Sequence, residues 1–415
     1  MKVILTVTDG PHHGRSYEFE EHDTFIVGRA KDAHFRLPVK DKAISRFHFL
    51  VEVNPPSCRL MDMASTNGTI VNGRMVQSID LEDRDVIVGG RTTFVVSIED
   101  EDPSSHSVAP VTNHFFDTIV NLSNQPPSWR MSDESTIFSL PGYRIERELG
   151  RGGMGVVYLA HAEAGGSPVA IKTITPKVDG SDAALARFLR EAKILRQLDH
   201  PNIVGFESIG HHQGRFYFAM EYVQGIDAAE SLKQAQGPLP ISRAVSLACQ
   251  TLDALAYAHA LGFVHRDIKP NNLLVATIGN RETMKLADFG LARVYQTSPI
   301  SGLTLAGHFG GAAGFLAPEQ ITNFRQAKPS SDLYAVGATL YFLLTANKTH
   351  DFSGGFEQQL LMVLQEEPVP IRDRRPEIPE ALAEVIHRSL AKDPANRFPD
   401  ALAMRVALSP FGRRR

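Results

Sequence analysis

Polar and apolar positions alternate through the first hundred residues. Val3, Leu5 and Val7 fall on one side of an extended segment, and residues 25–27, 47–53 and 92–98 form further β-branched and aromatic runs. Asp9-Gly10, Asn67-Gly68, Asn72-Gly73 and Gly89-Gly90 separate them, and such pairs turn tightly because glycine tolerates positive φ. Many short strands in one stretch predict an all-β sandwich over residues 1–99. The pattern then stops. An acidic step, Glu99-Asp100-Glu101-Asp102, leads into Pro103, Pro110, Pro126 and Pro127 with no sustained period, so residues 100–142 read as a flexible linker. Strand patterning resumes over residues 143–222, interrupted by one helical stripe over 181–198. Beyond residue 223 the period is helical. Val245, Ala248, Leu252, Leu255 and His259 share one face of a helix predicted over 241–262, and the apolar run 333–345 predicts a buried helix.

Composition narrows the class. The chain has 415 residues, 43% of them hydrophobic and 22% charged, which suits a soluble multidomain protein. With 43 Lys+Arg against 47 Asp+Glu the formal net charge is −4, so no basic excess argues for nucleic acid or a membrane surface. Residues 409–415, ending Arg413-Arg414-Arg415, read as a solvated basic tail. The run 333–345 falls short of the about 20 residues a bilayer needs. The N-terminus reads as a strand and not as a signal peptide. Cys58 and Cys249 have neither metal nor disulfide spacing, which fits a reducing, cytoplasmic setting.

One short stretch carries chemistry: His265-Arg266-Asp267-Ile268-Lys269-Pro270-Asn271-Asn272. Phosphoryl transfer to a hydroxyl needs an acid to take the proton, a cation to offset charge on the moving group and a neutral oxygen for a metal. Asp267, Lys269 and Asn272 supply these in order. The stretch resembles the catalytic loop of eukaryotic-type Ser/Thr protein kinases of bacteria. Other segments extend the likeness. Gly150, Gly152, Gly153 and Gly155, followed by Val157, resemble the glycine-rich loop over ATP phosphates; Val169-Ala170-Ile171-Lys172 resembles the strand with the phosphate-gripping lysine. Glu191 interrupts the apolar stripe Ala184, Phe188, Leu195, Leu198, where a carboxylate is costly unless paired, and Lys172 is its expected partner. By resemblance, Ala170 and the backbone of Glu221 and Val223 hold adenine, Met220 is the gatekeeper, and Asp288 of Asp288-Phe289-Gly290 joins Asn272 on the metal. Asp227 reads either as a ribose contact or as plain surface. The implied cofactors are ATP and Mg2+, with Mn2+ as an alternative.

The segment from Asp288 to Ala317-Pro318-Glu319 resembles an activation loop, with Thr297, Ser298, Ser301 and Thr304 as candidate phosphosites. It departs from the family at Ala312, where a threonine that braces the catalytic Asp and Lys is usual. The resemblance implies that Asp332 holds catalytic-loop amides, beside its plainer reading as a helix cap, and that Arg397 pairs with Glu319. It sets the kinase domain at 143–408, with an N-lobe over 143–222 and a C-lobe over 223–408.

Within residues 1–99, Gly28-Arg29, Ser45-Arg46-Phe47-His48, Ser65-Thr66-Asn67-Gly68-Thr69 and Val71-Asn72-Gly73 together resemble the forkhead-associated (FHA) domain, a phosphothreonine-binding sandwich. A phosphothreonine carries roughly −2 charge and three acceptor oxygens, which Arg29, Ser45 and Arg46 can meet while Thr66 and Asn67 reach the ligand backbone. Gly28 and His48 are expected to be architectural. The fold class expected is therefore an all-β sandwich followed by an α+β bilobal domain. The function expected is a protein kinase acting on protein substrates, with a module that recruits phosphothreonine proteins. Phosphorylated Thr297, with Ile300 three residues on, is a candidate ligand of that module in the same or another copy, which would accompany autophosphorylation or self-association. The alternative is a weakly active or inactive scaffold that binds phosphoproteins.

Overall fold

The computed structural model describes residues 2–20, 23–31, 33–38, 42–55, 57–99, 139–152, 155–174, 194–212, 215–279, 281–289, 313–322 and 327–412. The described part of the first ninety-nine residues carries eleven strands: β1 (Lys2–Asp9), β2 (Ser16–Phe19), β3 (Asp23–Gly28), β4 (Phe35–Arg36), β5 (Phe49–Asn54), β6 (Ser57–Asp62), β7 (Thr69–Val71), β8 (Arg74–Val76), β9 (Ser78–Leu81), β10 (Val86–Gly89) and β11 (Thr92–Glu99). They form two sheets, β2-β1-β11-β10-β7-β8 and β4-β3-β5-β6-β9. Alternation decides the interior. Val3, Leu5, Val7, Phe94 and Val96 from one sheet meet Phe25, Val27, Phe49, Val51 and Leu60 from the other, all buried. Phe49 and Phe35 meet Phe94 edge-on at 5.7 and 5.4 Å, an arrangement aromatic quadrupoles favour.

The second sheet is also covered on its outer face. Ile26 pairs with Leu50, and Leu50 with Met61, so the three form a row across β3, β5 and β6 on the side away from the sandwich interior. Their exposures are 0%, 2% and 1%. What covers them is the far end of the chain, described below.

The next sheet is β12 (Tyr143–Gly152), β13 (Gly155–Ala162), β14 (Val169–Ile174), β15 (Phe206–His212) and β16 (Arg215–Glu221), in the order β12-β13-β14-β16-β15. Leu140, which the sequence leaves in the linker, bridges to Tyr143 and is buried against Ala160, Val169, Ile171 and Ala219. Most of the expected helix over 181–198 lies outside the described residues; its visible end, Ile194–Gln197, is a 3-10 turn.

The helical half contains β17 (Gly225–Asp227), α1 (Ala228–Gln234), α2 (Ile241–Ala260), β18 (Leu273–Ile278), β19 (Arg281–Leu286), α3 (Pro318–Thr322), α4 (Pro329–Thr345), α5 (Phe356–Gln365), α6 (Ile371–Arg374), α7 (Glu380–Ser389) and α8 (Ala401–Leu408). In α2 the residues Val245, Ala248, Leu252 and Leu255 are buried, and Gly262 follows the helix with φ +81, a conformation that suits glycine. Helix α4 is buried nearly all round. Gly337 lets it approach α7, since an added Cβ would collide with the Ser389 hydroxyl. The helix starts four residues before the apolar run, with Pro329 in its first turn and Lys328 as N-cap, so Asp332 is not the cap; its carboxylate is used elsewhere. Residues 409–411 form a turn packed on α2, and Phe411 lies against the core, so the predicted tail is in part C-lobe.

Candidate functional site

The loop from His265 to Asn272 is pinned from two sides. Asp332, with no side-chain exposure, accepts the backbone N–H of His265 and of Arg266, each at 2.8 Å, and the His259 Nε2 proton at 2.8 Å. On the other side His265 Nε2 donates to the Ala287 carbonyl at 2.9 Å, and its ring meets Phe289 edge-on at 4.7 Å. Arg266 sits at φ +69 and Asp288 at φ +59. Left-handed backbone at non-glycine residues costs free energy and persists only where surrounding bonds hold it. Here the Asp332 carboxylate supplies such bonds at Arg266.

These constraints bring five side chains together. Lys269 Nζ lies 3.0 and 2.8 Å from the two oxygens of Asp267. Asn272 Nδ2 donates to the Asp267 carbonyl at 2.7 Å and to its carboxylate at 3.0 Å. The Ala287 N–H donates to the Asn272 carbonyl at 2.8 Å, which brings Asp288 beside the loop. From the β sheet above, Lys172 Nζ, on β14, reaches Asp288 Oδ2 at 2.7 Å. Burial alone would raise the Asp288 pKa, but Lys172, Lys269 and His265 outweigh it and hold the carboxyl below its usual range. Asp288 is therefore an anion at neutral pH.

Asn272 spends its amide nitrogen on Asp267, so its oxygen is the atom left to act as a ligand. An amide oxygen and an ionised carboxylate are hard donors suited to Mg2+ or Mn2+. Among the described residues no group of three or more His, Cys, Asp or Glu side chains could hold a metal. A divalent cation here fits a two-ligand protein site completed by phosphate and water oxygens.

Around this centre, Gly150 pairs with Val157 and Gly152 with Gly155 at the tip of the β12–β13 hairpin. Val157 in turn pairs with Lys172, and Ala170 with Met220. Glu221 is tied by Lys285 Nζ at 2.8 Å and by the Gly205 N–H at 3.1 Å, and half-buried Val223 follows it. Asp227 caps α1, accepting the Glu230 N–H at 2.7 Å, and Asn271 approaches it at 3.4 Å. Glu319 and Arg397 form a paired fork at 2.6 and 2.8 Å with the Arg397 side chain wholly buried. Gly153, Glu191, Thr297, Ser298, Ser301, Thr304 and Ala312 lie outside the described residues.

Sequence reasoning missed Gln320. Its side-chain nitrogen donates to the Arg266 carbonyl at 2.8 Å and its oxygen accepts the Ala317 N–H at 3.1 Å, so α3 is fastened one residue from Asp267. A glutamine next to Pro-Glu gives no linear signal of this role.

The sandwich presents a second constellation. Arg29 Nε donates to the Ile44 carbonyl at 3.0 Å, and the Ser45 hydroxyl accepts the Thr66 N–H at 3.0 Å. Asn67 Nδ2 donates to the Ala43 carbonyl at 2.9 Å. Arg46, Thr66 and Asn67 are exposed, while Arg29 and Ser45 are half-buried. His48, fully buried, accepts the Ser45 N–H at 3.1 Å and lies 3.2 Å from the Gly68 carbonyl. A side chain at Gly28 would be driven into the Arg46 carbonyl oxygen. Asp62, also missed, ties the third loop by accepting from the Ser65 N–H, the Ser65 hydroxyl and the Thr69 hydroxyl at 2.8, 2.6 and 2.6 Å. Three loops thus converge with two cations, a hydroxyl and an amide at one edge.

Comparison with known proteins gives the following. The protein kinase domain family matches residues 143–409, and the FHA domain family matches residues 25–90. A probable serine/threonine-protein kinase PknB of Lactococcus lactis is 36% identical over 264 residues, covering 63% of this chain and 40% of that protein. The serine/threonine-protein kinase PknJ of Mycobacterium tuberculosis is 38% identical over 264 residues, covering 63% of this chain and 44% of its own length. The chain thus spans less than half the length of these relatives. Among solved structures, the Mycobacterium tuberculosis PknI kinase domain aligns with a TM-score of 0.51 at 27% identity, covering 66% of this chain and 97% of that one.

Proposed function

We propose, from the premise that the chain belongs to the protein kinase family, that it transfers the γ-phosphoryl group of ATP to serine or threonine hydroxyls of proteins. The observation that carries the reading is the cluster in which Asp267, Lys269 and Asn272 share hydrogen bonds beside the Asp288–Lys172 pair. The Asp267 carboxylate orients the substrate hydroxyl and takes its proton as the new P–O bond forms and the bond to the leaving ADP oxygen breaks. Lys269, already held against Asp267, offsets charge on the group in transit. Lys172 steadies the phosphates that stay behind, with the Gly150–Gly155 hairpin tip above them. Glu191 is its expected partner when ATP draws the amine from Asp288. Backbone groups of Glu221 and Val223, with Ala170 and Val157 lining the cleft, receive adenine. Asn272 and Asp288 would hold Mg2+ or Mn2+, which supplies charge neutralisation of the phosphates. Supported by the loop geometry and the family match over residues 25–90, Arg29, Ser45, Arg46, Thr66 and Asn67 bind phosphothreonine in partner proteins. Thr297, Ser298, Ser301 and Thr304 are the candidate acceptors for autophosphorylation. The two free cysteines support a reducing, cytoplasmic site of action.

Purified full-length protein with labelled ATP tests the transfer. Label in the wild type and a loss of about a thousandfold or more in Asp267→Ala are expected; equal label in both, or none in either, rejects transfer by this site and leaves the scaffold. Calorimetry of the full chain with a phosphothreonine peptide library tests the second activity. Binding is expected in the wild type and a drop of at least about tenfold in Arg29→Ala, since a charge-assisted bond is worth about 1.5–3 kcal/mol.

A further inference from the structure

The outer face of the β4-β3-β5-β6-β9 sheet does not face solvent. Ile26, Leu50, Met61 and Met63, with Ala30, Ala33 and Phe47 from the adjoining loops, form one apolar cluster with Ala313, Leu316, Ile321, Leu360 and Val363 of the kinase domain. Strand β3 lies against α3, and α5 packs on both α3 and the turn at residues 313–315. Every one of these side chains is buried. Leu50 and Met61 point away from the sandwich's own interior, so their burial is owed to the other domain. An apolar face of this kind, left open, would be a sticky patch of the sort soluble proteins avoid.

The covered surface adjoins the chemistry. The segment 313–317 leads into α3, and Gln320 fastens α3 to the carbonyl of Arg266, one residue from Asp267. The 313–321 segment is thus held beside Asp267, and a protein substrate extending from Asp267 toward α3, at about 3.3 Å per residue, would cross it within a few residues. The sheet covers the apolar side chains of that segment, Ala313, Leu316 and Ile321. The ATP side is separate: Lys172, Val157, Ala170 and Met220 belong to the sheet of β12 to β16, none of which joins the cluster. The phosphothreonine-reading edge stays open, because Arg46, Thr66 and Asn67 are exposed and none of them joins the cluster.

We infer that the phosphothreonine-binding module is an intramolecular cover on the protein-substrate shelf of its own kinase domain, docked through the outer sheet face and restraining phosphorylation of protein substrates while leaving ATP binding alone. The inference rests on the kinase reading above.

The test uses full-length protein with changes on opposite sides of the contact, Leu50→Ser and Leu360→Ser. Neither residue belongs to the inner core of the sandwich or to the main C-lobe core. Dephosphorylated casein is the substrate, and hydrogen exchange of residues 49–54 reports opening. Both variants, or the double variant if either single change leaves exchange unaltered, should exchange faster in that strand. They should phosphorylate casein with kcat/KM raised at least about fivefold and with KM for ATP within about twofold of the wild type. Faster exchange with an unchanged or lowered casein rate overturns the inference, as does unchanged exchange in the double variant. Failure of the kinase reading looks different: the wild type then gives no Asp267-dependent label on casein at all.

Discussion

Single side chains at this site act through groups they hold. Asp332 is wholly buried, yet its two oxygens fix the His265 and Arg266 amides and so set where Asp267 points. Imidazoles elsewhere do similar work in the neutral state. His34 Nδ1 accepts the Ile26 N–H at 2.9 Å, His200 Nδ1 the Asn202 N–H at 3.1 Å, and His387 Nε2 the Ile371 N–H at 3.0 Å. Burial lowers the pKa of each, against partial opposition from Asp23, Asp253 and Asp373 respectively. The unfolded chain therefore takes up these protons first as pH falls. Their contribution to stability is complete above about pH 6.5, the ordinary histidine value, and is lost between there and the lowered folded values. Melting temperature is expected to fall as pH drops from 7 towards 5. His387→Gln, whose amide oxygen can accept the same N–H without titrating, should make that fall shallower; an unchanged slope in thermal melts counts against the assignment.

At the scale of elements, the C-lobe is locked by Arg397. Its guanidinium holds both Glu319 oxygens and the carbonyls of Ser330, Ala391 and Lys392, and stacks over the Tyr334 ring at 5.0 Å. One side chain thereby joins α3, the start of α4 and the turn after α7. Removing one partner of a buried pair strands the other charge, at about 3–5 kcal/mol. Arg397→Met is expected to cost that much in urea unfolding; less than about 1 kcal/mol would show the pair to be solvent-screened in solution. Elements also show where linear reading falls short. The Lys328 N-cap and the early start of α4 were hidden because the apolar run marks only the buried turns of a helix, not its polar first turn. The 3-10 turn at Ile194–Gln197 lay inside a stretch whose helical period gave no sign of a change in winding.

For the whole molecule, the apolar contact between sandwich and C-lobe makes those two parts thermodynamically one unit. A shared buried core couples their unfolding. Calorimetry of the full chain should therefore show the sandwich melting with the C-lobe, and Leu360→Ser should release a separate, earlier transition. Two transitions in the wild type, with the sandwich melting alone, would contradict a contact of this strength. The sequence held a trace of this arrangement. Phe25-Ile26-Val27 and Phe49-Leu50-Val51 are continuous apolar runs, where a sheet with one wet face should alternate. Read as strands, they gave the correct elements; read for both faces, they announce a second covering layer.

The sequence by itself determined the two family resemblances and the closeness of Asp267, Lys269 and Asn272, because these three lie within six residues and the motif-bearing loops of the sandwich are short. Local spacing fixes such groups whatever surrounds them. Tertiary structure alone decided that Lys172 rests on Asp288, that Gln320 and Asp62 brace their loops, and that Leu50 lies against α3 and α5 territory instead of water. The physical reason is that hydrogen bonds between distant segments depend on where the backbone brings them. Apolar burial has no direction of its own, so a sequence can show that a face must be covered without showing by what.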